Sequence, residues 1–326
     1  MALNLIEIPQ QAKPLHPNLS VPRDGWGRPL IVPEAGGKPK GHTRTTTFID
    51  CIEDKSNLID WKARNVLIGM TRRPDLAEKA RELDPEDASD KKRLNLLVEQ
   101  AEDAAGANEK SRKGTYLHDL SEYVDRGDPL PKTISEADLD DMAAYIMATS
   151  VLKVIAIEQF VVVPELSVGG TFDRLAYYDG PGPDGRPIAG NFITDTKTGN
   201  IKYGHLKMAS QLATYSRGKL YDHTNFPAPD KDDKKAFAAW KKQEFTAEQA
   251  AQAYSPLPPV NQDWGIIVHL PAGEGVCNLY WVNLNIGWAA AQLALEVRKA
   301  RSTKGAMLPF VTQVTKNQLD SLPQSV

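Results

Sequence analysis

Gly170-Thr171-Phe172-Asp173, Asp195-Thr196-Lys197-Thr198-Gly199 and Gln211-Leu212-Ala213-Thr214-Tyr215 follow one another within a short span of the chain, and their reading decides the fold. The first two lie in β-prone runs, 170–178 and 191–197, joined by the turn-rich segment 179–190. The third lies in a segment of helical character, about 202–220. Side chains alternate faces along a strand, so Asp195 and Lys197 point the same way, roughly 7 Å apart. Thr196 points to the other face, which leaves its carbonyl oxygen near the same place. If the two strands pair as a hairpin, Asp173 and Asp195 approach a common ion. Two carboxylates and a carbonyl suit magnesium, which takes oxygen ligands in near-octahedral geometry and keeps several waters. A lysine beside such an ion helps position or deprotonate an attacking water. A sugar-cleaving carboxylate pair needs no such lysine. Two acids and a lysine at the ends of paired strands therefore point to a divalent cation and a phosphodiester, and so to a nuclease.

Each piece taken singly has a plainer reading. Acid-x-Lys recurs at Glu53-Asp54-Lys55, Asp90-Lys91-Lys92, Asp232-Asp233-Lys234 and Asp233-Lys234-Lys235, in segments that read as solvated. On spacing alone Asp195 and Lys197 read as a surface ion pair rather than as catalysts. What separates them is that they end an apolar strand, follow an Asp-bearing strand and precede a polar-faced helix. On that helix Gln211 and Tyr215 are four apart and share a face. Gln211 either bonds a DNA phosphate, steadies Lys197 or faces solvent; Tyr215 either stacks near the scissile group or is half-buried. His118 flanks the apolar stripe Leu117, Leu120 and Val124, with Glu122 one turn on, and reads as a boundary residue. Glu158, inside an apolar strand, reads as an edge-strand charge, with a place in the site as the weaker option for it and for Glu122.

The rest of the chain supplies the frame. Residues 1–42 are rich in Pro and Gly and read as an extended arm. A mainly helical region, 43–108, opens with a β-prone run at 43–48 and holds helices near 58–70 and within 85–107. Helices are expected at 109–125 and 135–152, with Ser135 as N-cap. Strands follow at 156–163, 170–178 and 191–197, then the 202–220 helix. The segment 227–262 reads as an insertion with helices near 234–242 and 247–254. A hairpin, 264–270 with 276–283, and a helix, 286–300, complete a core spanning 109–305, leaving 306–326 as a tail. Helices alternating with strands in this order predict an α/β fold with a central mixed sheet flanked by helices.

Composition removes several classes. The 326 residues, 41% hydrophobic and 25% charged, suit one globular domain with an appendage. Lys+Arg 39 against Asp+Glu 42 gives a net charge of -3, so nucleic acid must be met by a local basic groove rather than by bulk charge. Two cysteines, Cys51 and Cys277, are too few for a disulfide framework, a four-cysteine zinc site or an iron–sulfur cluster, and fit a reducing cytoplasm. Residues 1–15 lack the basic start and apolar run of a signal peptide, and 151–163 is too short and too charged to span a bilayer.

Taken together, Gly114-Thr115-Tyr116-Leu117-His118, the Asp173 and Asp195-Thr196-Lys197 segments, and Gln211 with Tyr215 resemble the RecB-type branch of the PD-(D/E)XK nuclease superfamily, in particular its phage and CRISPR-associated exonucleases. The resemblance covers about 110–300. It implies a restriction-endonuclease-like core, magnesium or manganese held by His118, Asp173, Asp195 and the Thr196 carbonyl, Lys197 as catalytic lysine, and Gln211 and Tyr215 supporting the DNA end. The missing cysteines favour the cluster-free phage type. The resulting expectation is a metal-dependent DNA exonuclease of recombination, repair or phage DNA processing, in a bacterial or phage-infected cytoplasm. Its partners would be DNA and a single-strand annealing or recombination protein, and an oligomer is compatible with it. The alternatives are a structure- or sequence-specific endonuclease on the same fold, or a DNA-binding assembly protein without turnover.

Overall fold

A computed structural model describes residues 21–308; the first part of the expected arm, 1–20, and the end of the expected tail, 309–326, lie outside the described residues. The chain begins with an antiparallel ribbon, β1 (Leu30–Ile31) and β2 (Lys40–Gly41), followed by β3 (Thr43–Arg44) and α1 (Thr45–Ile49). Three helices come next, α2 (Ser56–Arg72), α3 (Pro74–Arg81) and α4 (Ala88–Ala104), packed around Leu76, Leu83, Leu97 and Ala101. Then α5 (Glu109–Arg126) stops at Gly127, which takes the left-handed conformation that caps helices. The Ser135 hydroxyl accepts from the Asp138 amide and starts α6 (Glu136–Thr149).

The strands β4 (Lys153–Val163), β5 (Val168–Pro181) and β6 (Pro187–Lys197) form an antiparallel meander. After α7 (His205–Ser216) come β7 (Lys219–Tyr221), α8 (Lys234–Trp240), α9 (Ala247–Ala251) and β8 (Tyr254–Pro256). The hairpin β9 (Trp264–His269) and β10 (Asn278–Asn283) leads into α10 (Leu284–Ser302). The large sheet has the order β10-β9-β6-β5-β4-β7-β8, with β3 running parallel along the first residues of β5. Because β6 and β9 are parallel while the meander is antiparallel, the sheet is mixed. The architecture is α/β, a mixed central sheet flanked by helices.

Three local expectations change. The β-prone run 43–48 is a strand only at Thr43–Arg44 and turns helical from Thr45. Alternation would send Phe48 and Ile49 to opposite faces, whereas a helical turn lets both join Val163, Val168, Ala291 and Ala294 in one apolar cluster. The described part of the arm is not free: Val21, Leu30, Ile31 and Val32 are buried with Phe160 and Val162 of β4 and with Phe237 and Trp240 of the 227–262 segment. The expected 202–220 helix ends at Ser216, and Lys219 and Leu220 enter β7 instead. Because β7 pairs with β4 only at Val161 and Val162, Glu158 lies on a stretch of β4 that β7 does not reach, as an edge-strand charge would. Among the described residues no helix is long and apolar enough to cross a membrane.

The helix carrying Gln211 and Tyr215 is held from behind. Residues 208–216 of α7 are all buried, and α10 crosses so closely that a Cβ on Gly287 would lie 2.1 Å from the Ala209 carbonyl oxygen. Lys207 adds ion pairs to Asp50 and Glu53 at 2.7 and 2.8 Å. Gly287→Ala should therefore cost about 1–3 kcal/mol through overpacking. Urea denaturation checks this, and an unchanged midpoint would mean that the crossing relaxes freely.

Candidate metal centre

The pairing register builds a row of carboxylates across the sheet. Ile157 pairs with Arg174 and Gln159 with Phe172, so Glu158 stands opposite Asp173 on the neighbouring strand. Arg174 pairs with Thr194, and one further step sets Asp173 opposite Asp195. A bulge between Val154 and Ala156 sets the β4 register, which matters because a one-residue slip would send each side chain to the other face. Asp173 Oδ2 accepts from the Thr196 amide at 2.8 Å, so a carboxylate joins β5 to β6 where backbone pairs end. Glu158 has φ 51°, in the left-handed region that costs a non-glycine residue about 1–3 kcal/mol.

His118 reaches this row from α5. Its Nε2 lies 3.0 Å from Asp173 Oδ2 and 3.7 Å from Glu158 Oε1. Its Nδ1 lies 3.3 Å from Glu122 Oε1, and Arg126 donates to the other Glu122 oxygen at 2.7 Å. Glu122 thus orients the ring and leaves Nε2 toward the acids, the arrangement usual for a metal-binding histidine. The ligand atoms of His118, Glu158 and Asp173 lie within 4.8 Å of one another, a donor set of nitrogen and oxygen that fits a divalent cation. A second group of the same kind, His118 with Asp119 and Glu122, adjoins it.

Charges at the row are strongly coupled. Burial opposes protonation of His118, but the Asp173 and Glu122 carboxylates outweigh it and push the imidazolium up to about 10. Burial, then the nearby Asp173 charge, pushes Glu158 up to about 7. Asp195 is raised by burial and by Asp173, while Asp173 is lowered because His118 outweighs its burial. Burial works against the Lys197 charge, yet Asp195 and Asp173 hold it as ammonium. Without a cation the protein therefore balances the acids with its own His118 and Lys197.

Asp195 stands apart from the tight group. Gln211 Nε2 donates to its Oδ1 at 3.1 Å, and Lys197 Nζ lies 2.5 Å from Oδ2. That second contact is a close ion pair. Gln211 also reaches the Tyr215 hydroxyl at 3.4 Å, and both residues are buried. Gln211 thus holds Asp195 and is itself joined to Tyr215, so the two are neither the solvent-facing glutamine nor the half-buried tyrosine of the plainer reading. Two glycines of the quoted segments work by closeness. A Cβ on Gly114 would lie 2.5 Å from Thr198 Oγ1, and one on Gly170 would lie 2.5 Å from Thr45 Oγ1 and 3.0 Å from the Tyr215 ring.

Sequence reasoning missed the support beneath the row. Arg174 is buried and pairs with the buried Asp125 of α5. Its Nη2 donates to Ser121 Oγ at 2.6 Å and its Nη1 to Thr196 Oγ1 at 3.1 Å. The Tyr145 hydroxyl of α6 donates to Asp125 at 2.8 Å, and Ser121 Oγ donates to the His118 carbonyl at 2.6 Å. The signal was a polar stripe, His118, Ser121, Glu122 and Asp125, at helical spacing, together with a lone arginine inside an apolar strand.

His118 and Thr196 border a cleft of about 1370 Å³, whose walls carry Lys110, Lys113 and Lys202 beside Glu109 and Glu274. Lys113 is engaged with Asp138, and Lys202 lies over the Tyr203 ring at 5.8 Å. Arg174→Met would strand the Asp125 charge and should cost about 3–5 kcal/mol. Adding Asp125→Leu to that variant should restore part of the loss. Chemical denaturation of both checks this; a single variant within about 1 kcal/mol of the parent would remove the network from its supporting role. No protein-family model matches this chain, and no curated protein is significantly similar to it.

Proposed function

We propose that the protein is a divalent-cation-dependent deoxyribonuclease of the RecB-like PD-(D/E)XK type, cleaving DNA from an end. The observation that carries this reading is the row Glu158–Asp173–Asp195 across three neighbouring strands, with His118 Nε2 3.0 Å from Asp173 and Lys197 2.5 Å from Asp195. Its position on the border of a lysine-bearing cleft adds a path for a phosphate backbone. His118, Glu158 and Asp173 would hold magnesium or manganese, with Asp195 and the Thr196 carbonyl on the adjoining strand. When bound, such a cation supplies Lewis-acid charge to the phosphate oxygens and lowers the pKa of water.

The chain's own groups supply the rest. Glu122 holds His118 Nδ1 and so keeps Nε2 turned toward Asp173, where it would meet a cation on losing its proton, and Gln211 fixes Asp195 Oδ1. Lys197, beside Asp195 at the end of β6, would orient the attacking water and offset charge on the phosphate. Water adds to phosphorus, the bond to the leaving sugar oxygen breaks, and a proton passes to that oxygen. Tyr215, packed against Phe172 with ring centroids 6.5 Å apart, keeps α7 at its distance from β5.

Lys197→Ala should lower magnesium-dependent cleavage of linear DNA by about 10²–10⁴-fold while the variant still folds, as read by circular dichroism at the assay temperature. Covalently closed circular DNA should resist the parent enzyme. Undiminished cleavage by the variant would refute the mechanism, and cutting of closed circles would replace end-dependent cleavage with an endonuclease.

A further inference from the structure

A second pocket, of about 490 Å³, opens beside the cleft and shares Ile201, His205 and Tyr280 with it. It forms where the first turns of α7 and α10 meet the outer strand β10, with Met208 and Ile267 buried along its inner wall. Its rim is apolar and open: Leu206, Tyr280 and Ile286 are 46%, 45% and 59% exposed. Grouped exposed apolar side chains of this kind mark a binding surface rather than scattered surface residues. The volume falls in the range of small-ligand pockets, roughly 300–1,000 Å³.

Tyr280 stands at the junction. It pairs with Ile267 across the hairpin, and its ring centroid lies 6.2 Å from that of His269, which lines the cleft. On one side of this tyrosine the walls carry Lys110 and Lys202 beside Glu109 and Glu274; on the other they are mainly aliphatic and aromatic, with His205 and Asn283 as the polar members. A ligand matching both sides is anionic at one end and flat and apolar at the other. A nucleotide within a strand has that division, because its phosphate and its base are joined through one sugar. We infer that the pocket takes a nucleobase of the strand whose backbone lies in the cleft, unstacked from its neighbours and packed against Tyr280 and Ile286. This rests on the phosphodiester-cleaving reading and adds that the strand is single where it passes Tyr280. Stacking on a π-face tolerates any base, so the pocket selects strandedness rather than sequence.

The test uses the full chain with magnesium and a set of single-stranded DNA oligonucleotides in which one abasic residue is moved along the strand. Cleavage should show a KM about tenfold higher at one abasic position and unchanged elsewhere. Tyr280→Ala and Ile286→Ala should raise KM for the intact strand by a similar factor and abolish the sensitivity at that position. Cleavage with every abasic position equivalent, or variants that keep the full sensitivity, would overturn the inference while leaving the nuclease reading in place. Sedimentation in which Leu206→Asp splits a dimer would also overturn it, by showing that a second copy covers the pocket. Failure of the parent chain to cleave any strand would instead remove the underlying reading.

Discussion

The guanidinium of Arg174 is buried between the sheet and the helices α5 and α6, and the geometry of the site hangs on it. Its charge is met by Asp125, whose other contacts come from Tyr145, while Ser121 and Thr196 take the remaining donors. A buried charge without such partners costs several kcal/mol, so α5 has one favourable seat on the sheet. That seat carries His118 to Asp173, because His118 and Asp125 lie on the same face of the helix about two turns apart. Fold and site thus share one interaction: the pair that seats the helix also aims the imidazole.

The row of acids is the second constraint. Burying Glu158, Asp173 and Asp195 side by side raises the cost of their joint ionisation, which is why Glu158 and Asp195 are pushed up while Asp173, beside His118, stays low. Natural cores avoid such arrangements unless a cation compensates them. Here His118 and Lys197 serve as the compensating charges; an entering divalent ion would replace the proton on His118 Nε2 and part Lys197 from Asp195. The left-handed backbone of Glu158 adds local strain at the same place, consistent with strain collecting at working sites.

Much of this was legible in the residues, and the reasons for the remainder are physical. The period-2 and helical patterns predicted the main strands and helices within a few residues, since long amphipathic segments report their own burial. Asp195, Lys197, Asp173 and Gln211 could be grouped because they lie on consecutive elements, where a hairpin and the following helix leave little freedom. His118 required a resemblance, because nothing local reveals that a helix some fifty residues upstream returns to the strand. Glu158 was read as an edge charge, which suits a stretch of β4 that β7 does not reach; what the residues could not show is that Asp173 and His118 stand beside it. Arg174 and Asp125 went unnoticed for a related reason: each looks like an isolated charge until the pair forms. The short strands β1, β2, β7 and β8 are too brief to carry a period, and the arm that holds β1 and β2 is ordered by contact with Phe237 and Trp240 rather than by its own pattern.

The account turns on whether His118 and Asp173 hold a divalent cation between them. Crystals grown with manganese and measured for anomalous scattering give the most direct answer. The account predicts a manganese peak bonded to Asp173 and to His118 Nε2, at about 2.0–2.6 Å, with Lys197 moved off Asp195. A fully ordered site without manganese, or manganese held only by Asp119 and Glu122 on the other side of the ring, would contradict it.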